Sequence, residues 1–136
     1  MSQENVDVMA FAIETLNARN IEALDALCHE DVEWHPALSA GGAVEGAVYR
    51  GKDGMVRYLE EVDAEFSEMR FEVEGFDPVG DDSVLYRGRM IARGAASGIL
   101  LDAPLWGLWQ MRDGKLFRGQ AFLSEKDALE AAGLSE

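Results

Sequence analysis

From residue 69 to residue 123 the chain reads as strands and little else, and every strong helical period but one lies before residue 68. Apolar and polar residues alternate through 69–76, with Met, Phe and Val set against Arg and Glu. After a turn at 79–82 come two further strands, residues 83–93 and 99–112, joined by the small-residue turn 94–98. Asp113-Gly114 then marks a tight hairpin leading into the last strand, residues 115–123. Pro104 sits inside one of these strands and predicts a bulge or bend there. Helices gathered ahead of a meander give an α+β domain rather than an alternating α/β one.

The helical half is equally patterned. Val6, Met9, Ala10, Ile13 and Leu16 recur at helical spacing behind Ser2 as N-cap. Residues 22–28 read as a second, short helix with Leu24, Leu27 and Cys28 as its stripe, so the two form a helical hairpin. Residues 31–35 alternate and stop at Pro36, as a short strand does. Residues 37–48 are rich in Gly and Ala and read as a loop, a mobile lid over a pocket. Residues 52–67 predict a third helix, with Asp53 suited to its first turn and Met55, Leu59, Val62 and Phe66 on one face. Ser124 caps a short closing helix that Gly133 ends.

At 136 residues the chain suits one domain, residues 1–136. Its formal net charge of −14 excludes nucleic acid as a partner, because phosphate binding needs a Lys/Arg surface. The same charge argues against an anionic membrane surface. The N-terminus lacks the basic and apolar regions of a signal peptide, and no apolar run reaches membrane-spanning length. The single cysteine, Cys28, allows no intrachain disulfide and fits a reducing cytoplasm, the expected location. No phosphate-binding glycine loop, nucleophile elbow or metal-ligand spacing occurs, so no cofactor and no metal is expected.

Three stretches carry a family resemblance: LNARNIEALDALCHEDVEWHP (16–36), YRGKDGMVRYLEE (49–61) and LDAPLWGLWQMRDGKLFRGQAF (101–122). Together they resemble the SnoaL-like, ketosteroid-isomerase-like branch of the NTF2-like superfamily, over essentially the whole chain. The resemblance implies a cone, in which a curved antiparallel sheet wraps around three helices of the N-terminal half and a short helix closes the chain. It also implies a pocket at the wide end of the cone and a homodimer formed through the convex sheet face. Isomerases, hydrolases, cyclases, dehydratases and binders share this fold, so the fold does not carry the function.

Individual positions refine that picture. Ketosteroid isomerases hold their general base just before the proline of the first strand, and His35 stands there. A histidine can move protons near neutrality, or it can simply pack at the strand end. Arg87 and Arg89, two apart on one strand, share a face. Alignment with the isomerase strand puts them inside the cone beside Leu85 and Ile91, where guanidiniums would hold an oxyanion. A register shifted by one would turn them outward and bring Tyr86, Gly88 and Met90 in. Related epoxide hydrolases follow the arginine with an aspartate two residues on, where this chain has Arg89. Ala12 and Trp106 occupy the two oxyanion-hole positions of the isomerases, and Ala121 occupies the aspartate position of some cyclases. Neither activity is therefore expected in its authentic form. Trp106 becomes an aromatic wall, and Leu16, Tyr49, Leu59, Asp102 and Leu108 complete the expected pocket. Tyr58 is expected at its rim, with Trp109 and Phe122 on the convex side.

Three functions fit this reading. One is a cofactor-independent isomerase, dehydratase or hydrolase that uses His35 and an arginine. The second is a non-catalytic binder or carrier, and the third is a dimeric interaction module. In the first two the ligand is a small, apolar or weakly anionic molecule.

Overall fold

A computed structural model describes residues 2–36 and 48–134. The expected lid, residues 37–48, lies outside the described residues except for Val48. The elements are α1 (Ser2–Asn17), α2 (Ile21–Leu27), β1 (Cys28–His35), β2 (Tyr49–Arg50), α3 (Gly51–Glu65), β3 (Phe66–Val79), β4 (Ser83–Gly94), β5 (Leu100–Arg112), β6 (Lys115–Phe122) and α4 (Glu125–Ala132). Helices therefore precede the meander, as an α+β chain requires.

All six strands form one curved, unclosed sheet in the order β2-β1-β6-β5-β4-β3. The expected all-antiparallel sheet is corrected at one pair, because β1 runs parallel to β6. These two strands are separated by the whole meander, and only such a long crossover lets neighbours run parallel. The β5–β6 hairpin turns at Asp113 (φ 55°) and Gly114 (φ 74°), the two left-handed positions of a type I′ turn. The expected bulge at Pro104 is absent, since the β4–β5 ladder runs through Arg89↔Pro104 without a shift. Strand β6 pairs with β5 only from Trp106 onward, so β5 has no β6 partner at Pro104. Ladder irregularities lie elsewhere, in β3 between Phe66 and Glu68 and between Val73 and Gly75, in β1 between Cys28 and Glu33, and in β6 at Phe117.

Helices α1 and α3 pack on one face of the sheet. The core joins Met9, Ala12 and Ile13 of α1 and Met55, Tyr58, Leu59 and Val62 of α3 to Trp34, Phe71, Tyr86, Leu105 and Trp109 of the strands. Helix α1 is fixed to the open edge of β3 by one side chain. Asn17 Nδ2 donates to the Phe71 carbonyl at 2.8 Å, and Asn17 Oδ1 accepts from the Phe71 N–H at 2.9 Å. The amide thus supplies the hydrogen bonds that a further strand would make. At the other end of the chain Ser124 Oγ accepts from Asp127 N and Gly133 adopts φ 76°, so both caps of α4 form as the sequence predicts.

Two glycines make room for rings on the helix-covered face. A Cβ on Gly107 would lie 2.1 Å from Tyr86 Cζ, and one on Gly119 would lie 2.1 Å from Trp109 Cε2. Each glycine is the direct cross-strand partner of the aromatic above it.

Two outcomes are expected. Asn17→Ala leaves two partly buried backbone groups unpaired and should cost about 1–3 kcal/mol in urea unfolding. A loss below about 0.5 kcal/mol, the range of ordinary surface changes, would show that Asn17 does not hold α1 to the sheet. Gly119→Ala forces the Trp109 ring to move and should cost about 1–3 kcal/mol, as overpacking does. Wild-type stability with an unchanged near-ultraviolet dichroism spectrum would contradict this.

Candidate functional site

The alternation of β4 decides what faces the interior. Val84, Tyr86, Met90 and Ala92 belong to the core, whereas Leu85 and Ile91 are buried but stand outside it, on the opposite face. Arg87 and Arg89 share that outer face. The inward placement of the two arginines is therefore corrected by one residue of register. Arg89 Nε donates to Asp102 Oδ1 at 2.6 Å, with both side chains well exposed. The Arg87 guanidinium lies over Gly75 on β3.

The same shift runs through β5. Leu105, Gly107, Trp109 and Met111 are buried, and Trp106 and Leu108 alternate with them on the outer side. Asp102 and Trp106 thus leave the expected pocket together with Leu108. Trp109, expected on the convex side, points inward, while Phe122 pairs with Trp106 on the outer face.

On β1, Val32 and Trp34 are buried, so Glu33 and His35 face outward. His35 Nε2 lies 3.0 Å from Glu33 Oε1, and Arg50 and Arg118 approach the same carboxylate at 3.3 and 3.5 Å. This company, His35 first, holds the Glu33 carboxyl below its ordinary range. His35 is thus the neighbour of a surface carboxylate rather than a group inside the cone.

What the interior does contain is an aromatic cavity between α1, α3 and the sheet. Its volume is about 30 Å³, room for about two water molecules. Leu16, Met9 and Met55 line it from the helices, and Trp34, Phe71, Tyr86 and Trp109 from the strands, with Tyr58 between. A second space of about 10 Å³ adjoins it and shares Trp34, Tyr58 and Phe71. No charged side chain lines either space among the described residues.

The aromatic walls hold one another in place. Trp34 and Trp109 stack with centroids 5.3 Å apart and planes 5° from parallel. Tyr58 packs edge-on against Trp34, and Tyr49 edge-on against Tyr58. Tyr49 is itself buried behind Tyr58, and its hydroxyl donates to Glu61 at 2.5 Å. Leu59, also expected in the pocket, lines a separate small space between α2 and α3.

The polar atoms of the cavity are donors. Trp34 Nε1 is fully buried and has no hydrogen-bond partner among the described residues. The Tyr58 oxygen lies near it, close enough for the indole to favour ionisation, yet no bond of normal geometry closes. Burial raises the Tyr58 hydroxyl to about 12, and burial raises the Tyr86 hydroxyl further. Both stay protonated at neutral pH. Cys28 is likewise pushed up to about 12, by burial first and by Asp25 second, so it is no thiolate nucleophile.

Tyr58, expected at the rim, and Tyr86, inward only in the alternative register, both line the cavity with Trp109, expected on the convex side, and each left a signal. Met55, Tyr58, Leu59 and Val62 are spaced i, i+3, i+4, i+7, which puts Tyr58 on the buried stripe. Tyr86 and Trp109 each face a glycine across the ladder, a pattern that leaves space for a ring. Among the described residues no three His, Cys, Asp or Glu side chains are grouped to hold a metal ion. No described helix is long and apolar enough to cross a membrane.

Solved structures share this architecture. TerC, co-crystallised with polyporic acid, superposes with a TM-score of 0.77 at 24% identity, covering 96% of this chain and 98% of its own. An NTF2-like protein of unknown function from Burkholderia pseudomallei gives 0.78 at 15% identity, covering 93% and 95%. Rv0760c of Mycobacterium tuberculosis, in complex with estradiol-17β-hemisuccinate, gives 0.75 at 13% identity, covering 90% and 95%. At these identities the likeness is one of fold. Comparison with curated proteins returns no match. The family model described as the SnoaL-like domain matches residues 9–119, most of the chain, and this chain belongs to the SnoaL-like family.

Proposed function

We propose that the chain is a non-catalytic binder or carrier of a small, largely apolar molecule held against the aromatic walls of the interior cavity. The observation that carries this reading is the lining itself. It is apolar and aromatic, it holds a few polar donors, and among the described residues it contains no carboxylate, histidine, lysine or arginine. Proton transfer near neutrality needs a group whose pKa lies near the working pH. The two interior tyrosines are far above it, and His35 is outside. Small-molecule sites are usually largely apolar with a few placed polar groups, and this interior is of that kind. Two fold relatives, TerC and Rv0760c, were crystallised with polyporic acid and a steroid ester respectively, which agrees with a ligand-holding interior.

The empty space is small, so a ligand must displace side chains as it enters. Met9 and Met55 on the cavity wall are suited to this, because unbranched thioether chains repack at low cost. A ligand of one or two fused rings is the natural size.

The test is an NMR titration of nitrogen-15-labelled protein with indane, an apolar bicyclic. The indole N–H signals of Trp34 and Trp109 should shift saturably, while that of Trp106, on the outer face, stays put. His35→Gln and Arg87→Leu should leave the affinity within about twofold, as surface changes away from a site do. No saturable shift, or a shift confined to Trp106, would defeat the proposal. So would loss of binding in His35→Gln.

A further inference from the structure

The interior cavity also constrains the chemistry of what fills it. Trp34 lines both adjoining spaces, and among the described residues its buried Nε1 closes no hydrogen bond of normal geometry, the Tyr58 oxygen being its near neighbour. An indole N–H can only donate. A buried donor left unpaired carries a desolvation penalty that a bound acceptor removes. Beside it, Tyr58 and Tyr86 present hydroxyls that are held protonated, the Tyr58 oxygen close to the indole. A hydroxyl can donate or accept, so the two can adapt to a ligand, but Trp34 cannot.

We infer that the ligand is a neutral ring compound bearing a carbonyl-type oxygen, which accepts a hydrogen bond from Trp34 Nε1 with Tyr58 and Tyr86 beside it. This inference rests on the reading of the interior as a ligand cavity. The neutrality has two grounds. No cationic side chain lines the space to balance a carboxylate, and burying an unpaired charge is costly. In addition, the chain's net charge of −14 repels anions at long range.

A cation is the competing possibility, since aromatic faces attract ammonium groups. Stacking works against it here. Trp34 and Trp109 cover one another's faces, and Tyr86 lies flat over Gly107, so part of each ring face is already occupied. No carboxylate stands in the lining to complete a cation site.

Three ring-matched compounds separate these cases: indane, 1-indanone and 1-aminoindane, which is cationic at neutral pH. Titrated against the intact chain, 1-indanone should bind about tenfold more tightly than indane, the effect of one added buried hydrogen bond. It should also move the Trp34 indole proton further downfield than indane does, as a hydrogen bond to the ligand requires. The cationic 1-aminoindane should bind more weakly than indane. Trp34→Phe should bring the indanone-to-indane ratio close to one. Should that variant fail to fold, Tyr58→Phe and Tyr86→Phe take its place, and either should reduce the ratio by several-fold.

Indane and 1-indanone binding equally well would overturn the acceptor inference and leave the cavity reading intact. Tightest binding by 1-aminoindane would overturn it in favour of a cation site. Binding by none of the three would bring down the cavity reading and this inference together.

Discussion

Gly119 stands between two tryptophans. It pairs with Trp34 across the parallel β1–β6 ladder and with Trp109 across the antiparallel β5–β6 ladder. Because it has no side chain, the two indoles close over it and stack, although their strands are not neighbours. This contact sets the position of β1 against the meander. It presents the Trp34 edge to Tyr58, and so seats α3 on the sheet. Asn17 performs the complementary task at the far edge by tying α1 to β3. The cavity is what remains between these two fixed helices and the curved strands.

The order of elements was legible because each boundary carries local chemistry. Asp113-Gly114 adopts the two left-handed positions that its type predicts, and Ser124 and Gly133 cap α4 as their types predict. The site was not legible, because the register of β4 and β5 is ambiguous in sequence. In β4, Leu85 and Ile91 alternate with Val84, Tyr86, Met90 and Ala92, so both faces carry buried apolar residues. In β5, Trp106 and Leu108 alternate with Leu105 and Trp109 in the same way. Period-two patterning chooses a face only when one face is polar. Slipping the assignment by one residue exchanges the arginines for Tyr86, and an arginine site for an aromatic one.

Physical cost resolves what the pattern cannot. With the arginines inward, two guanidiniums would lose water with only Asp102 carried in beside them, at several kcal/mol per ion after relaxation. Outward, Arg89 meets Asp102, Arg70 meets Glu68 and Glu72, and Glu33 gathers His35, Arg50 and Arg118. These pairs face the solvent side, and each contributes little to stability. Of these, Arg89–Asp102 joins the two strands whose register is at issue, and turning it inward would desolvate both groups, which excludes the face with the arginines inward.

That exclusion also shapes the chemistry of the interior. Once every described charge is outside, the groups left within are those whose protons are fixed at neutral pH. With Tyr58 raised to about 12, only about one molecule in 10⁵ would carry its phenolate at pH 7. Such a group can orient and polarise an oxygen but cannot take a proton from carbon. The same burial that keeps the tyrosines protonated keeps Trp34 Nε1 dry and unpaired. A space whose donor-only group is Trp34 Nε1 selects for an acceptor, and a space without counter-ions selects for neutrality. Both selections follow from the one-residue register that sends Arg87 and Arg89 to the surface.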